Sequence, residues 1–329
     1  MTRTRSKAGE DGFILIVVLS AVLVLSALLF GFAQTTRTSL SKADSFYRTE
    51  QAWNGAWGGL QMALAVVRDV NAIAIDPQAA KLLTGENRFS VGDANCSVVI
   101  TEENGLLNVN RLKGTDGQFD RQRIDQFLRL IDVLNRQEKD VPPIGYGIVP
   151  ALIDWIDNDN EVTCLTFVQH DNLGAENDYY QTRTPPYTCR NGPIDATDEL
   201  LWVKGMTPEW LGRLRPYLTC VGDGKIDINA APRLVLQSLS EQIDAATAEM
   251  MVRQRAIKPF QNVTELRDVA GMTDNMTHDL QRLITINPPE RFYRVASQGN
   301  IEDHRCTIEA LLRRNTQAGT VDIIQYREH

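Results

Sequence analysis

The stretch that most limits what this chain can become is Phe13 to Ala33, FILIVVLSAVLVLSALLFGFA, an uncharged apolar run behind the leader MTRTRSKAGEDG. A helix of about 20 such residues crosses the ~30 Å hydrocarbon core of a bilayer, so the run is a candidate membrane span. Arg3, Arg5 and Lys7 precede it. The positive-inside bias keeps that leader in the cytoplasm and sends the bulk of the chain outward, although Arg37 and Lys42 beyond the run weaken the asymmetry. An uncleaved anchor would use such a run. The apolar core of a cleaved export signal is shorter, about 7 to 15 residues, yet Gly31-Phe32-Ala33 offers small residues for a cut before Gln34.

Behind the run, a chain of 329 residues is long enough for two compact domains, and its hydrophobic content of 43% is ordinary for globular protein. The net charge of -8 supplies no electrostatic footprint for a nucleic acid backbone, which is not an expected partner. Cys96, Cys164, Cys189, Cys220 and Cys306 are too few for a disulfide scaffold and form no CxxC or zinc-spaced cluster; they fit one or two bridges in an oxidising compartment.

The helical period continues past the span. Leu40, Ala43, Phe46, Tyr47, Trp53, Trp57, Leu60, Leu64 and Val67 recur every three or four residues, and no proline intervenes before Pro77. Span and amphipathic part together predict one helix of about 55 residues, near 80 Å long, with Gly55, Gly58 and Gly59 as its weak points. The period then changes. Phe89, Val91, Cys96, Val98 and Ile100 alternate, and Asn104-Gly105 before Leu106–Val109 predicts a hairpin turn. A second hairpin is expected near the C-terminus, from Phe292–Val295 through a Gln298-Gly299-Asn300 turn to Cys306–Leu312. Between the two strand regions lie about 180 mostly helical residues, which predicts one sheet with a large insertion.

The insertion carries a weak repeat. Glu199–Thr207, ELLWVKGMT, lines up with Glu265–Thr273, ELRDVAGMT, and each copy runs on through a helical stretch to Leu218-Thr219 or Ile284-Thr285. Each reads as a short helix stopped by glycine, with Thr207 or Thr273 capping the next. The second copy resembles helix-hairpin-helix modules that hold DNA phosphates. The residues around both copies are mixed or acidic, however, which favours a helical packing unit.

One constellation suggests chemistry. Leu152–Glu161, LIDWIDNDNE, is followed after a loop by Gly174–Tyr180, GAENDYY, and clustered carboxylates with loop carbonyls are what Ca²⁺ takes, at six to eight oxygens. The spacing is not that of an EF-hand, since Val162 and Val168 stand where its Gly and Glu would be. Cys164 and Cys189 flank the second acidic group and are placed to close that loop by a possible disulfide. Asp154 with Asp157, or Glu176 with Asp178, would be the carboxylate pair of a hydrolase. No GxSxG, HExxH or phosphate loop accompanies them, and His170, His278, His304 and His329 have no ligand spacing, so no enzyme is expected.

The leader ending in Gly12, with Phe13 opening the apolar run, resembles the type IV pilin and pseudopilin signal, cut by prepilin peptidase after the glycine to leave an N-methylated Phe13. Most of that family has Glu at the fifth mature position, where this chain has Val17, a departure that suits a subunit with no neighbour beyond it. Taken in order, LIDWIDNDN, GAENDYY, PPYTCRNGPI, DELLWVKGM and KIDINAAPRLVL behind such an N-terminus resemble the minor pseudopilin K family of the type II secretion system.

That resemblance implies an α+β pilin-like fold, a long N-terminal helix plus antiparallel sheet, with a large mainly α-helical calcium-binding domain inserted into the sheet. Residues 1–12 would be the leader, 13–33 the transmembrane helix, 34–118 the amphipathic helix and first strands, 119–285 the inserted domain and 286–329 the C-terminal strands and tail. By position the implied Ca²⁺ ligands are Asp157, Asp159, Glu176 and Asp178, with Asp154 and Glu199 as further candidates. The implied role is structural, at the tip of the periplasmic pseudopilus, assisting its initiation, assembly and length control. The protein would first span the inner membrane once, with its N-terminus cytoplasmic. Implied partners are the minor pseudopilins I and J, other pseudopilins and the prepilin peptidase, with no small-molecule substrate. An inserted domain this large would obstruct a subunit stacked above it, which places the chain at the end of a fibre. A membrane-anchored calcium-dependent hydrolase and a helix-hairpin-helix DNA-binding envelope protein are the alternatives.

Overall fold

The computed structural model describes residues 8–69, 79–83, 85–114, 119–168 and 170–329. Its spine is α1, Ala8–Arg68, a single helix of 61 residues. From Phe13 to Phe46 every side chain is exposed, and this part is long and apolar enough to cross a membrane. Contact with the rest of the protein begins at Ser45, whose hydroxyl hydrogen bonds the His304 ring at 3.0 Å. Beyond it Ala52, Ala56, Leu60, Ala63 and Val67 form a buried stripe at helical spacing. Gly55, Gly58 and Gly59 do not break the helix, because tertiary packing outweighs their propensity. Gly59 permits close approach: a Cβ there would overlap the Ser297 hydroxyl and come within 2.8 Å of Cys96 Sγ.

The stripe is covered by an antiparallel sheet of β1 (Glu86–Val91), β2 (Ala94–Glu102), β7 (Glu290–Ile301), β8 (His304–Asn315) and β9 (Val321–Glu328), in the spatial order β1-β2-β7-β8-β9. Cys96, Val98 and Ile100 on β2, Tyr293 and Val295 on β7, and Ile308, Ala310 and Leu312 on β8 face α1 in one core. Trp53 stacks on Trp57 at 5.6 Å, and the Trp53 indole donates to Glu328 at the far end of β9.

Two turn expectations are corrected. Asn104-Gly105 does not join β2 to a partner strand; β2 pairs with β1 across Gly92-Asp93 and with β7 on its other side. Asn104 instead ties the sheet to the insertion, its side chain accepting from Phe292 N–H at 2.7 Å and donating to Glu290 O at 2.9 Å. The C-terminal hairpin forms, but Gln298-Gly299-Asn300 lies within β7, and the turn is one step on, with Glu302 at φ 48°. Gly299 is needed for packing, since a Cβ there would overlap the Ala52 carbonyl of α1.

Between β2 and β7 lies the mainly helical insertion. It contains β3 (Leu107–Asn108), α2 (Arg121–Gln137), α3 (Ile148–Ile156), α4 (Asn177–Gln181), α5 (Pro208–Leu214), β4 (Leu218–Thr219), β5 (Ile226–Asp227), α6 (Arg233–Ser238), α7 (Ala245–Ile257), α8 (Asp274–Leu280) and β6 (Ile284–Thr285). The sequence repeat is a structural one. Each copy is a 3-10 turn, a glycine at φ 83° or 90°, a helix capped by Thr207 or Thr273, and a two-residue strand. Those strands, β4 and β6, pair in parallel with β3 and β5. The insertion holds two apolar cores. One is built around Phe127, Leu130, Ile148 and Tyr180, the other around Ile228, Val235, Met251 and Phe260.

Both ends of the insertion meet at the sheet. Glu103 N–H donates to Phe292 O at 2.8 Å, and Asp227 N–H donates to Asn104 O at 2.8 Å. The buried Glu103 carboxylate joins Arg294 of β7 to the Thr219 hydroxyl of β4.

Candidate metal centre

All nine residues of α3 are buried, so the helix is apolar except at Asp154, which is fully enclosed. One of its oxygens accepts from Thr163 N–H at 3.0 Å. α3 is capped by Asp157, whose N–H donates to Ile153 O, and the chain turns through Asp159 before returning along 172–176. Thr163 O accepts from Gly174 N–H and Asn172 O from Leu165 N–H, both at 2.9 Å, which pins the two arms together. Gly174 is required for that approach, because a Cβ there would overlap Asp154 Oδ2. The returning arm delivers Glu176 to the position before α4, where its backbone carbonyl accepts from Tyr179 N–H and its side chain is left buried.

One carboxylate oxygen from each of Asp157, Asp159 and Glu176 lies within 4.8 Å of the others. Lys113, from the start of the insertion, donates to Asp157 Oδ2 at 3.0 Å and Asp159 Oδ2 at 3.1 Å. Four buried oxygens of this cluster have no hydrogen-bond partner among the described residues: Asp154 Oδ2, Asp157 Oδ1 and both of Glu176. Anionic oxygens stripped of water and left unpaired are costly, and one lysine does not reach them all. The cost shows in their protonation. Burial, aided by the charges of Asp154, Asp157 and Asp159, pushes the Glu176 carboxyl up to about 7. Burial likewise raises Asp154 to about 6 and lifts Asp157 despite Lys113. Asp159 moves the other way, held down by the Glu161 N–H and by Lys113. A hard divalent cation with oxygen ligands fits this donor set.

The structure thus gathers Asp154, Asp157, Asp159 and Glu176. Asp178 lies exposed in the first turn of α4, outside the cluster. Glu199 has both oxygens engaged, one accepting from the Trp155 indole at 3.0 Å and the other paired with Arg190 at 2.6 Å, so it positions the aromatic wall. Cys164 and Cys189 are not bridged. Cys164 is exposed beside Leu173, while Cys189 is buried with its thiol donating to Asp154 O. Sequence reasoning missed Lys113, a lone lysine far upstream with no spacing signal. Of the processing pair, Gly12 and Phe13 fall in the first turns of α1, while residues 1–7 lie outside the described part.

Comparisons with known proteins agree with this architecture. Two family profiles, each described as type II secretion system protein K, match residues 105–223 and 226–287. The boundary between them falls where the first apolar core gives way to the second. Type II secretion system protein K of Pseudomonas aeruginosa is 24% identical over 94% of this chain and 90% of its own length. The Aeromonas hydrophila protein of the same description is 24% identical over 70% and 68%. A solved chain in the GspK-GspI-GspJ complex of the enterotoxigenic Escherichia coli type 2 secretion system superposes with a TM-score of 0.62 at 19% identity, covering 89% of this chain and 99% of its own. At that identity the likeness speaks to the fold. With the two profiles together spanning more than half of its length, the chain belongs to the type II secretion system protein K family.

Proposed function

We propose that the protein is a structural subunit at the tip of the type II secretion pseudopilus, working with the minor pseudopilins I and J to start assembly and limit fibre length. The observation that carries this is the division of α1. A first half with every described side chain bare is suited first to the inner membrane and then to a bundle of neighbouring helices, while the second half is sealed under a head. The insertion between β2 and β7 enlarges that head, and a domain of that size would obstruct a subunit stacked above it. Val17 leaves the span without the carboxylate that an upper neighbour would pair. N-terminal analysis of membrane-extracted protein tests the reading: a methylated Phe13 is expected, while a start at Gln34 or an intact Met1 overturns it.

The acidic pocket is proposed to hold Ca²⁺ through Asp157, Asp159 and Glu176, with Asp154 behind them. The ion would supply positive charge and coordination that lock the end of α3 to the start of α4, a stabilising role and not a catalytic one. Asp157→Asn with Glu176→Gln should abolish the calcium-induced rise in melting temperature, worth about 3 kcal/mol at several hundred times Kd. A calcium-dependent turnover lost in that variant with melting unchanged would favour the hydrolase instead.

A further inference from the structure

On the face of the insertion beside the start of α2 is a cleft of about 480 Å³, formed by four separate stretches of chain. It gathers Arg111, Lys113, Arg121, Arg123 and Arg282 around two carboxylates, Asp120 and Asp223, in a protein whose net charge is -8. Three of these cations are already paired: Arg123 with Asp120 at 3.2 Å, Arg121 with Asp125 at 2.9 Å, and Lys113 with Asp157 at 3.0 Å and Asp159 at 3.1 Å. Arg111 and Arg282 have no carboxylate within 4.0 Å among the described residues. Among the described residues Arg111 reaches only the Gly222 carbonyl, at 3.4 Å, and its Nε is shut from solvent without an acceptor there.

The arrangement is built. Gly224, at φ 84°, leaves room that a side chain would fill, since a Cβ there would sit 2.6 Å from Arg111 Cγ and 2.8 Å from Arg123 Nη1. The glycine lets two like charges pack together against the backbone, where Arg123 donates to Gly224 O and feels the Arg111 charge. Desolvated neighbouring guanidiniums repel unless an anion lies between them, and their planar forks match carboxylates. The rim is aromatic. Phe119 is 48% exposed at the edge, and the Arg121 guanidinium lies 3.3 Å over the ring of Phe167, itself 38% exposed.

We propose that this cleft binds an acidic peptide segment, with its carboxylates on Arg111 and Arg282 and a neighbouring apolar side chain against Phe119. Aromatic surface beside unpaired arginines favours a peptide over a bare phosphate, which has no apolar part to bury. The cleft shares one lining residue with the acidic pocket, Lys113, whose ammonium is turned to Asp157 and Asp159, while none of the cleft's arginines pairs with that pocket's carboxylates.

The test uses the full chain in detergent and a fluorescent octapeptide alternating glutamate and leucine. Binding that weakens with salt is expected. The variant Arg111→Gln with Arg282→Gln should lower affinity about tenfold or more, the exposed Arg282→Gln alone should lower it severalfold with melting unchanged, and Asp223→Asn should raise it. The proposal is overturned by equal binding of the peptide with lysine in place of glutamate, by affinity unaffected in the double variant, or by displacement with inorganic pyrophosphate or a duplex oligonucleotide at concentrations where a neutral peptide does nothing.

Discussion

Two parts of this molecule bury their residues on opposite principles. Where α1 meets the sheet, small residues let backbones touch: Ala52 and Ala56 on the helix face Gly299 and Ser297 on β7, and the Ser297 hydroxyl donates to Ala56 O at 2.7 Å. Where α3 turns toward α4, carboxylates are enclosed with four oxygens unpaired. The first region is closed by the protein's own apolar and backbone atoms. The second is stabilised only to the extent that something positive is added, which separates the protein into an unconditional scaffold and a conditional one.

The largest effect should come from damaging the unconditional part. Gly299→Val would drive a side chain into the Ala52 carbonyl and to within 2.6 Å of Ala56 N, atoms of the α1 backbone that cannot yield. It should cost about 3 kcal/mol in urea unfolding, by the same amount with calcium or with chelator. A calcium-dependent loss would show that the two regions are not separable.

Acidity should distinguish them next. The folded-state values of Glu176, about 7, and Asp154, about 6, stand above those of a solvated carboxyl, so the fold favours their protonated forms. Their contribution is then fully present below a pH of about 4 and is lost as pH rises through 6 and 7. Calcium-stripped protein should therefore be more stable at pH 5 than at pH 8, by roughly 2 kcal/mol, as read from Trp155 fluorescence. With calcium present the order reverses, because protons compete for the ligands. A flat profile in both conditions would remove the acidic pocket as the conditional element.

The smallest change should come from Lys113→Met. Lys113 is the only cation bonded to the described acid cluster, so its loss should lower the stability of ion-free protein while raising calcium affinity about tenfold, through the repulsion it no longer exerts. Isothermal titration measures the second effect. Unchanged affinity would mean that Lys113 and the ion never share the same carboxylates.

These regions also differ in how far the sequence revealed them. The long helix, the sheet, the repeat and the acid cluster all rest on local signals: periodicity of 3.6 or 2, a threonine cap, a glycine stop, a run of carboxylates. What the sequence hid is non-local. Asn104-Gly105 carries the composition of a hairpin turn, yet it is used to clasp Phe292 and Glu290 and to let Ala230 and Ala231 pass close by. Gly299 looks like a turn residue because only its unseen neighbour, α1, explains it. In the site, Asp178 and Glu176 are equivalent by spacing. The turn into α4 buries one and exposes the other, and Arg190 removes Glu199 from the set.

The clasp at the base of the insertion has a consequence in time. Glu102 of β2 lies opposite Tyr293 of β7 in the sheet, with the entire insertion between them in the chain. A flexible loop of about 190 residues closes rarely, and contacts of that sequence separation slow folding. Once the insertion has folded, Asp227 holds Asn104 and the strand Ile226-Asp227 pairs with Ile284-Thr285, so that the ends of β2 and β7 are brought side by side. The head is then expected to zip together after the insertion, which would leave the alanine stripe of α1 uncovered until that moment.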